Sequence, residues 1–341
     1  MKLSLFCLLS FLCLGVYAFE NENVFRVMCY NVENYFDCVD DPDTNDEEYL
    51  LGGIRGWNHT RYVEKQYNIA RVVVAVGGWE PPALVGLCEV ESQKAMHDLV
   101  VWSPLKNLQY RFVHHESPDI RGVDVALLYQ PNAFKLLHDE PIRVTFTDAP
   151  HSTTRDILYV MGQLLSRDTL HVFVCHFPSR LGGELESESK RVNAARILRY
   201  KVDEIFEHDE DAKIIIMGDF NDYPDNKSIY EILQAQEPQA PFSSSTLYNL
   251  MYPMHREGKG THKHEGIWGA LDQIIVSGSL LDDSSATYTT PLDTHILEED
   301  FLLEDDGKFF GKKPFRTYVG MKYVGGFSDH LPVYVDFYLK L

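Results

Sequence analysis

The sequence predicts one domain of mixed α and β structure, arranged as an α+β or a layered α/β fold. Apolar, β-rich segments alternate with segments of helical periodicity, and no single βαβ unit repeats along the chain. The 341 residues are 45% hydrophobic and 12% aromatic, which is enough to bury a sizeable core. No linker, internal repeat or low-complexity segment divides the chain, so we expect a single globular domain.

Two segments have the periodicity of helices, 62–76 with its apolar residues mostly on one side and 184–206 with charged residues on its exposed face. The acidic, proline-containing segment 37–48 and the polar segment 298–313 are expected to be surface loops. Runs rich in β-branched, aromatic and other apolar residues predict strands at 24–30, 83–88, 110–114, 123–129, 158–165, 170–175, 213–217, 274–276 and 333–339.

Residues 1–18 have the features of a secretory signal peptide. Lys2 provides a basic start, 3–16 is an almost unbroken apolar run, and Val16-Tyr17-Ala18 is a plausible cleavage site. The run is short for a bilayer span, which needs about 20 residues, and this disfavours a transmembrane anchor; a buried N-terminal helix is the other alternative. We expect export to the periplasm, the cell surface or the medium, with 19–341 as one mature domain without a stable membrane span.

Net charge and cysteine usage limit the possible functions. The formal net charge of −20 argues against a broad basic surface for nucleic acid, although a divalent cation and a few local arginines could still serve a phosphate group. The chain has no CxxC motif and no zinc-ligand spacing. We expect free core thiols after removal of 1–18, although export would permit a disulfide among Cys29, Cys38, Cys88 and Cys175.

Polar side chains of the types that bind metals or transfer protons follow several of the predicted strands. Each is a weak signal alone, since an Asp or Asn after a strand is usually a turn residue and a single His is usually structural. Their joint occurrence at strand ends, where loops build active sites, favours a catalytic centre formed by Asn31, Glu89, His176, Asp219, Asn221, Asp272, Asp329 and His330.

This ordered set resembles the endonuclease/exonuclease/phosphatase superfamily, which includes DNase I-like nucleases, abasic-site endonucleases, sphingomyelinases and inositol-phosphate phosphatases. The resemblance extends from Asn31 to His330 and is most specific at Gly218-Asp219-Phe220-Asn221 and Ser328-Asp329-His330. It implies a four-layer α-β-β-α sandwich of two packed mixed sheets, in one domain, and a metal-dependent phosphoester hydrolase.

The resemblance also implies a role for each polar residue at the metal. Glu89 matches the principal metal-ligand carboxylate, with Asn31 beside it and Asp329 as a further ligand or water-orienting group. Asp219 and Asn221 match the pair that positions the attacking water or a phosphate oxygen. Because these are hard oxygen donors, Mg²⁺ is the expected ion, with Mn²⁺ or Ca²⁺ as alternatives.

Two histidines are expected to transfer protons. His330 matches the family's catalytic histidine, with Asp272 as its carboxylate partner, and His176 matches the second histidine of DNase I-like members. We expect His330 to act as base and His176 as acid, although the sequence does not settle the order. Asp124 could orient His176 or simply lie at a strand edge.

Arginines would neutralise charge on the transferred phosphoryl group. Arg155 resembles a phosphate-contacting arginine of DNase I-like members, and Arg180 and Arg121 are further candidates beside Asn221; a surface ion pair is the alternative for each arginine.

The expected function is that of an exported phosphodiesterase, monomeric, with nucleic acid as the favoured substrate class. A phospholipid headgroup or a small phosphomonoester is the alternative within enzymes, and exposed aromatic hairpins would favour lipid. A noncatalytic binding protein on the same fold is a third hypothesis, which the complete set of polar residues argues against.

Overall fold

The computed structural model describes residues 23–146, 149 and 151–340, so the predicted signal peptide at 1–18 lies outside the described residues. The helices are α1 (His59–Gly77), α2 (Gln93–Trp102), α3 (Glu184–His208) and α4 (Tyr252–Arg256). The strands are β1 (Asn23–Tyr35), β2 (Leu84–Val90), β3 (Arg111–His114), β4 (Asp124–Tyr129), β5 (Phe134–Ile142), β6 (Ile157–Leu164), β7 (Thr169–His176), β8 (Lys213–Asp219), β9 (Ala235–Gln236), β10 (Leu247–Asn249), β11 (His262–His264), β12 (Ile267–Gly269), β13 (Asp272–Ser277), β14 (Thr287–Tyr288), β15 (Thr294–Ile296), β16 (Leu303–Asp305), β17 (Lys312–Pro314), β18 (Tyr318–Val319), β19 (Lys322–Tyr323) and β20 (Val333–Leu339).

Two large mixed sheets form the centre of the molecule. In the first sheet the strand order is β14-β20-β1-β2-β4-β3, with β15 also paired to β20. In the second sheet the order is β5-β6-β7-β8-β13-β10-β9. Each sheet contains a central parallel pair, β1 with β2 and β7 with β8, and the strands next to each pair run antiparallel to it. At the end of the second sheet, β9 and β10 are also parallel. The carboxyl ends of each parallel pair therefore lie at one edge of its sheet, which is where ligands bind in open α/β sheets.

Three buried apolar layers separate four layers of secondary structure. The inner layer contains Val27, Val160 and Ile215 and lies between the two sheets. A second layer, with Val72 and Leu99, joins α1 and α2 to the first sheet, and a third, with Leu198 and Ile216, joins α3 to the second sheet. This arrangement confirms the predicted four-layer α-β-β-α sandwich of two packed mixed sheets.

Local sequence explains where the outer helices begin and end. The side chain of Asn58 caps α1 by accepting a hydrogen bond from the Arg61 backbone N–H, and Gly78 ends the helix at a positive φ of 62°. The side chain of Ser92 caps α2 in the same way. Among the described residues, no helix has both the length and the apolar character to cross a membrane.

The structure contains each of the predicted strands and both predicted helices, with ends shifted by a few residues. The prediction of a loop over 298–313 was wrong in part, because β16 and β17 form an antiparallel hairpin there. Sequence reasoning also missed α2, which buries only Ala95, Met96 and Leu99, and the long edge strand β5, whose side chains are mostly half-buried or exposed.

Candidate active site

Strand register brings the polar residues of the second sheet side by side. His176, the last residue of β7, is the register partner of Asp219 at the end of β8, and Asp219 is the partner of Asp272 at the start of β13. From the first sheet, Asn31 in β1 lies beside the end of β2, which carries Glu89. The two sheets therefore present their carboxylates and histidines from facing strand ends.

Local backbone distortions direct these side chains. Glu89 has a positive φ of 64° where the pairing of β2 with β4 shifts register, and Asn221 has a φ of 51°. Gly218 has a φ of +152°, and a Cβ placed there would lie 1.9 Å from the carbonyl oxygen of Cys175. Only glycine fits this close approach between β7 and β8, which explains why it precedes Asp219. Such conformations concentrate at functional sites.

The carboxylate of Asp219 is the centre of the site. Its Oδ2 accepts a hydrogen bond from Asn31 Nδ2 at 3.1 Å, and its Oδ1 accepts one from the backbone N–H of Asn221 at 2.9 Å. The same Oδ2 lies 3.6 Å from His176 Nε2 and 3.8 Å from His330 Nε2. Burial raises the pKa of Asp219 to about 6 despite the opposing effect of His330. One buried carboxylate therefore connects both histidines with Asn31.

His330 and Asp272 form a buried pair. His330 Nδ1 donates to Asp272 Oδ2 at 2.6 Å, and this oxygen also accepts the hydroxyl of Thr261. The hydroxyl of Ser328 receives the His330 backbone N–H and donates to the carbonyl of Asn31 at 2.7 Å, which ties the Ser-Asp-His turn to β1. Burial opposes protonation of His330, but the carboxylates of Asp272 and Asp219 outweigh it and hold its pKa well above the usual value.

His176 also lies beside Asp219. Its Nε2 is 3.9 Å from Glu89 Oε1, and its buried Nδ1 makes no hydrogen bond. Burial and the nearby charges of Arg155, Arg121 and His330 lower the pKa of His176 well below the usual value. These directions favour a charged His330 and a neutral His176, which is the reverse of the acid and base order expected from the sequence.

Asp124 does not orient His176. Its Oδ1 accepts hydrogen bonds from the backbone and hydroxyl of Ser117, and its Oδ2 lies 3.4 Å from His114 Nε2. Asp124 is thus bound within its own loop, while His176 Nδ1 makes no hydrogen bond.

The residues expected at the metal provide oxygen donors that suit a hard divalent cation. Glu89 directs Oε2 to the backbone N–H of Asn34 at 2.9 Å, which leaves Oε1 facing His176. Asp329 accepts a hydrogen bond from Arg316 Nη2 at 3.0 Å. Burial would raise the pKa of Asp329, but His330 and Arg316 outweigh it and lower that pKa, so the carboxylate is charged. Potential ligand atoms also converge within 4.8 Å in two groups at this site, Asp219 with Asp272 and His330, and His262 with Asp329 and His330.

The three arginines expected at the phosphate lie in different environments. Arg155 is only 5% exposed and donates to Asp119 Oδ2 at 3.0 Å and to the carbonyl of Phe177 at 2.7 Å. Its expected phosphate contact is therefore not supported, because the guanidinium braces the residue after His176 instead. Arg180 is similarly bound, to the carbonyl of Asn221 at 2.7 Å and to other acceptors. Arg121 keeps a half-exposed side chain 3.6 Å from Asp119.

Sequence reasoning missed two cations next to the expected metal ligands, Arg316 and Lys65. Arg316 joins Glu33 Oε1 at 3.2 Å to Asp329 Oδ2 at 3.0 Å, with 40% of its side chain exposed. Lys65 is fully buried, donates to the Thr317 hydroxyl and the Phe327 carbonyl at 2.6 Å each, and has a pKa lowered to about 8 by burial. The proximity of Arg316 to the Ser-Asp-His turn in sequence could have identified it, whereas Lys65 on α1 carries no local signal.

His262 is a further residue that the sequence did not single out. Its backbone forms an isolated β-bridge with His330, and the two rings lie 4.9 Å apart. Burial and the charge of His330 lower the pKa of His262 to about 4, so this imidazole is neutral near pH 7. It can therefore contact His330 or a ligand without adding positive charge.

Two facing sheets, a histidine pair around a shared carboxylate, and hard oxygen donors together define a metal-dependent phosphoester hydrolase. A family model described as the endonuclease/exonuclease/phosphatase family matches residues 26–339. The chain therefore belongs to the endonuclease/exonuclease/phosphatase family, as its motifs predicted.

Solved structures agree with this fold. The human Nocturnin catalytic domain with bound sulfate has a TM-score of 0.54 and 19% identity, over 93% of this chain and 95% of that chain. D. rerio TDP2 complexed with a single-strand DNA product has a TM-score of 0.55 and 14% identity, over 93% and 99%. A family protein from Bacteroides thetaiotaomicron has a TM-score of 0.54 and 14% identity, over 93% and 96%. No curated protein matches the chain at a significant level.

Proposed function

We propose that this protein is an exported, monomeric phosphodiesterase that uses Mg²⁺ and its two histidines to direct water at a phosphodiester, with nucleic acid as the favoured substrate class. The observation that carries the proposal is the position of Asp219, whose Oδ2 lies 3.6 Å from His176 Nε2 and 3.8 Å from His330 Nε2. Two proton-transfer groups beside one carboxylate suit hydrolysis, in which one group accepts a proton from the attacking water and the other donates a proton to the leaving oxygen.

Each residue has a role that follows from its contacts. Asp272 holds Nδ1 of His330, which leaves Nε2 directed at the reacting atoms. Asp219 and Asn221 orient the water and a phosphate oxygen, and the Asn221 backbone N–H donates a hydrogen bond to Asp219 Oδ1. Glu89, Asn31 and Asp329 would hold the cation, which when bound neutralises charge on the phosphoryl group.

Two partly exposed arginines support a phosphate substrate despite the net charge of −20. Arg316 and Arg121 both have partly exposed side chains, so each can meet an anion from solvent. Arg316 also contacts Asp329, which places it next to an expected metal ligand. The DNA product named for the similar TDP2 structure supports nucleic acid as the first substrate to test.

A phospholipid headgroup is the second candidate, because the structure contains exposed apolar hairpin tips. Phe310, between β16 and β17, is 101% exposed, and Ile267, at the start of β12, is 71% exposed. Lys263 connects the two hairpins through the carbonyl of Phe310, and it follows His262, which bridges to His330. These tips therefore lie on the elements next to the catalytic histidine, where they could enter a lipid surface.

Hydrolysis of bis(p-nitrophenyl) phosphate, plasmid DNA and sphingomyelin, each with Mg²⁺ and with chelator, tests the proposal. We expect metal-dependent turnover that His330→Ala lowers by about 10²–10⁴-fold. His97→Ala, which changes a histidine with a 58% exposed side chain, is the matched control. Preference for sphingomyelin, reduced by Phe310→Ser, would favour lipid, and turnover unaffected by chelator or by His330→Ala would contradict the mechanism.

Export is tested separately by expressing the full chain and sequencing the N terminus of the protein found outside the cytoplasm. We expect cleavage after Ala18. Sedimentation of the same material tests the monomer. An uncleaved chain retained in the cytoplasm would contradict export without affecting the catalytic proposal.

A further inference from the structure

A third group of potential metal ligands, which includes neither catalytic histidine, consists of three residues around β3 and β4. His114 is the last residue of β3, Glu116 lies in the following loop, and Asp124 is the first residue of β4. One potential ligand atom from each lies within 4.8 Å of the other two. We refer to these three residues as the His114 triad. The catalytic roles above use none of them.

His114 is unusual because it is buried without a hydrogen bond. Its side chain has no exposed surface, and neither ring nitrogen has a hydrogen-bond partner. Nε2 lies 3.4 Å from Asp124 Oδ2, and Nδ1 lies 3.8 Å from Glu116 Oε1. Buried polar groups are almost always satisfied, and an unsatisfied one costs about 1–3 kcal/mol. The ring thus faces two carboxylate oxygens without bonding to either.

We propose that the His114 triad binds a second divalent cation of the zinc or manganese class. A cation about 2.1 Å from an imidazole nitrogen and from a carboxylate oxygen separates those two atoms by about 3.0–3.4 Å, which agrees with the distance between His114 Nε2 and Asp124 Oδ2. A mixed nitrogen and oxygen ligand set suits these ions better than Mg²⁺, which prefers oxygen ligands.

The surroundings of the triad fit a cation that enters from solvent. Ser117 occupies Oδ1 of Asp124 and leaves Oδ2 for the cation. The side chain of Glu116 is 59% exposed, so it can close over the cation as a third ligand.

The cation would act on the catalytic centre through the loop between β3 and β4. Glu116 and Asp124 flank the segment that contains Asp119, and Asp119 binds Arg155. Arg155 in turn holds the carbonyl of Phe177, the residue after His176. A cation that fixes both ends of this loop would therefore restrict the Asp119–Arg155–Phe177 contacts that hold the residue after His176. The triad would position a catalytic residue and would not itself contact the substrate.

Metal stoichiometry tests the proposal without relying on activity. Untagged, chelator-treated protein is dialysed against Zn²⁺ or Mn²⁺, and bound metal is measured by mass spectrometry. We expect two ions in the wild type and one in Glu89→Gln, in which the expected catalytic site is disrupted. Glu116→Gln, a change at an exposed side chain, should weaken the remaining ion by about 10–100-fold, and His114→Gln should abolish its binding. Glu298→Gln, at an exposed position, is the matched control.

Spectra with Co²⁺ identify the ligand. In Glu89→Gln, Co²⁺ should give visible absorption bands, and the double variant with Glu116→Gln should need about 10–100-fold more Co²⁺ to reach them. Glu116 has a 59% exposed side chain, so this change does not disturb a buried residue. A single ion per chain, lost in Glu89→Gln, would overturn the proposal. Retention of both ions in Glu116→Gln and in His114→Gln would also overturn it. Neither result contradicts the catalytic proposal, which chelator and His330→Ala test separately.

Discussion

Replacing Asp272 by Asn tests the central pair of the proposed mechanism with a change of one atom. The carboxylate accepts His330 Nδ1 at 2.6 Å and the Thr261 hydroxyl on the same oxygen, Oδ2. Its other oxygen, Oδ1, is buried and makes no hydrogen bond. In the variant, the amide oxygen can replace Oδ2 and keep both hydrogen bonds. What is lost is the negative charge that stabilises the imidazolium form of His330.

The geometry sets the size of the effect. With Nδ1 and Oδ2 in contact, the two charge centres lie about 4 Å apart, and unit charges at this separation attract by about 4 kcal/mol at an effective dielectric constant of about 20. If the imidazolium form is required in the transition state, a loss of about 4 kcal/mol corresponds to a decrease in rate of about 10³-fold. The amide NH₂ would occupy the site of Oδ1, and this buried donor without an acceptor should lower the free energy of unfolding by about 1–3 kcal/mol.

The assay measures kcat for bis(p-nitrophenyl) phosphate across pH, together with Mn²⁺ affinity and urea unfolding. Asp305→Asn makes the same chemical change at a carboxylate whose side chain is 90% exposed, and it should behave as wild type. We expect Asp272→Asn to lose kcat while Mn²⁺ affinity remains within a few-fold of wild type. A folded variant that binds Mn²⁺ and retains more than about a tenth of wild-type kcat would refute the charge-stabilisation argument.

Three further predictions concern other parts of the molecule. Arg316→Gln should raise KM for bis(p-nitrophenyl) phosphate by about 10–100-fold, since a hydrogen bond to a charged group contributes about 1.5–3 kcal/mol; an unchanged KM would exclude a phosphate contact. Burial lowers the pKa of His171 to about 4 in the folded state. Between about pH 6.5 and pH 4 the unfolded chain therefore binds a proton at His171 that the folded chain does not. The stability contributed by the neutral imidazole is full above about pH 6.5 and is lost as pH falls towards 4, by up to about 3 kcal/mol. His171→Phe should flatten this part of the pH dependence of the unfolding free energy in urea titrations, and an unaltered slope would contradict the shift. Gly218→Ala should destabilise the fold by more than about 4 kcal/mol in the same measurement, because its Cβ would lie 1.9 Å from the Cys175 carbonyl oxygen; Gly307→Ala, with no atom within 4 Å of the added Cβ, is the control that should differ little from wild type.

The fold was largely predictable because its central strands are long, apolar and followed by polar residues. Segments such as 213–217 are buried on both faces, and a continuous apolar run of this length has few alternatives to a core strand. Short or half-exposed elements lack this signal. The hairpin of β16 and β17 has only three residues in each strand, and its polar composition predicts a loop equally well.

The site was predictable where a residue type and its neighbours in sequence carry the information, and not where long-range contacts do. Arg316 meets Glu33 across 283 positions, and Lys65 meets Phe327 across 262, so no local pattern indicates either contact. For Arg155, the sequence predicted a phosphate contact that its observed hydrogen bonds do not support. An arginine before a strand is compatible with a phosphate contact, but the sequence does not show that Asp119 occupies its guanidinium.

The charge balance of the catalytic centre explains why a protein with a net charge of −20 can still bind a phosphate. The cations next to the expected metal ligands are Lys65, Arg316 and a charged His330. The carboxylates facing them are Glu33, Glu89, Asp219, Asp272 and Asp329. With all five carboxylates ionised, these eight groups carry two negative charges in excess, and repulsion among buried carboxylates contributes to the raised pKa of Asp219. A single divalent cation would neutralise this excess, so phosphate can enter a site that otherwise repels anions. Affinity for substrate should therefore depend on metal concentration more strongly than on any one arginine.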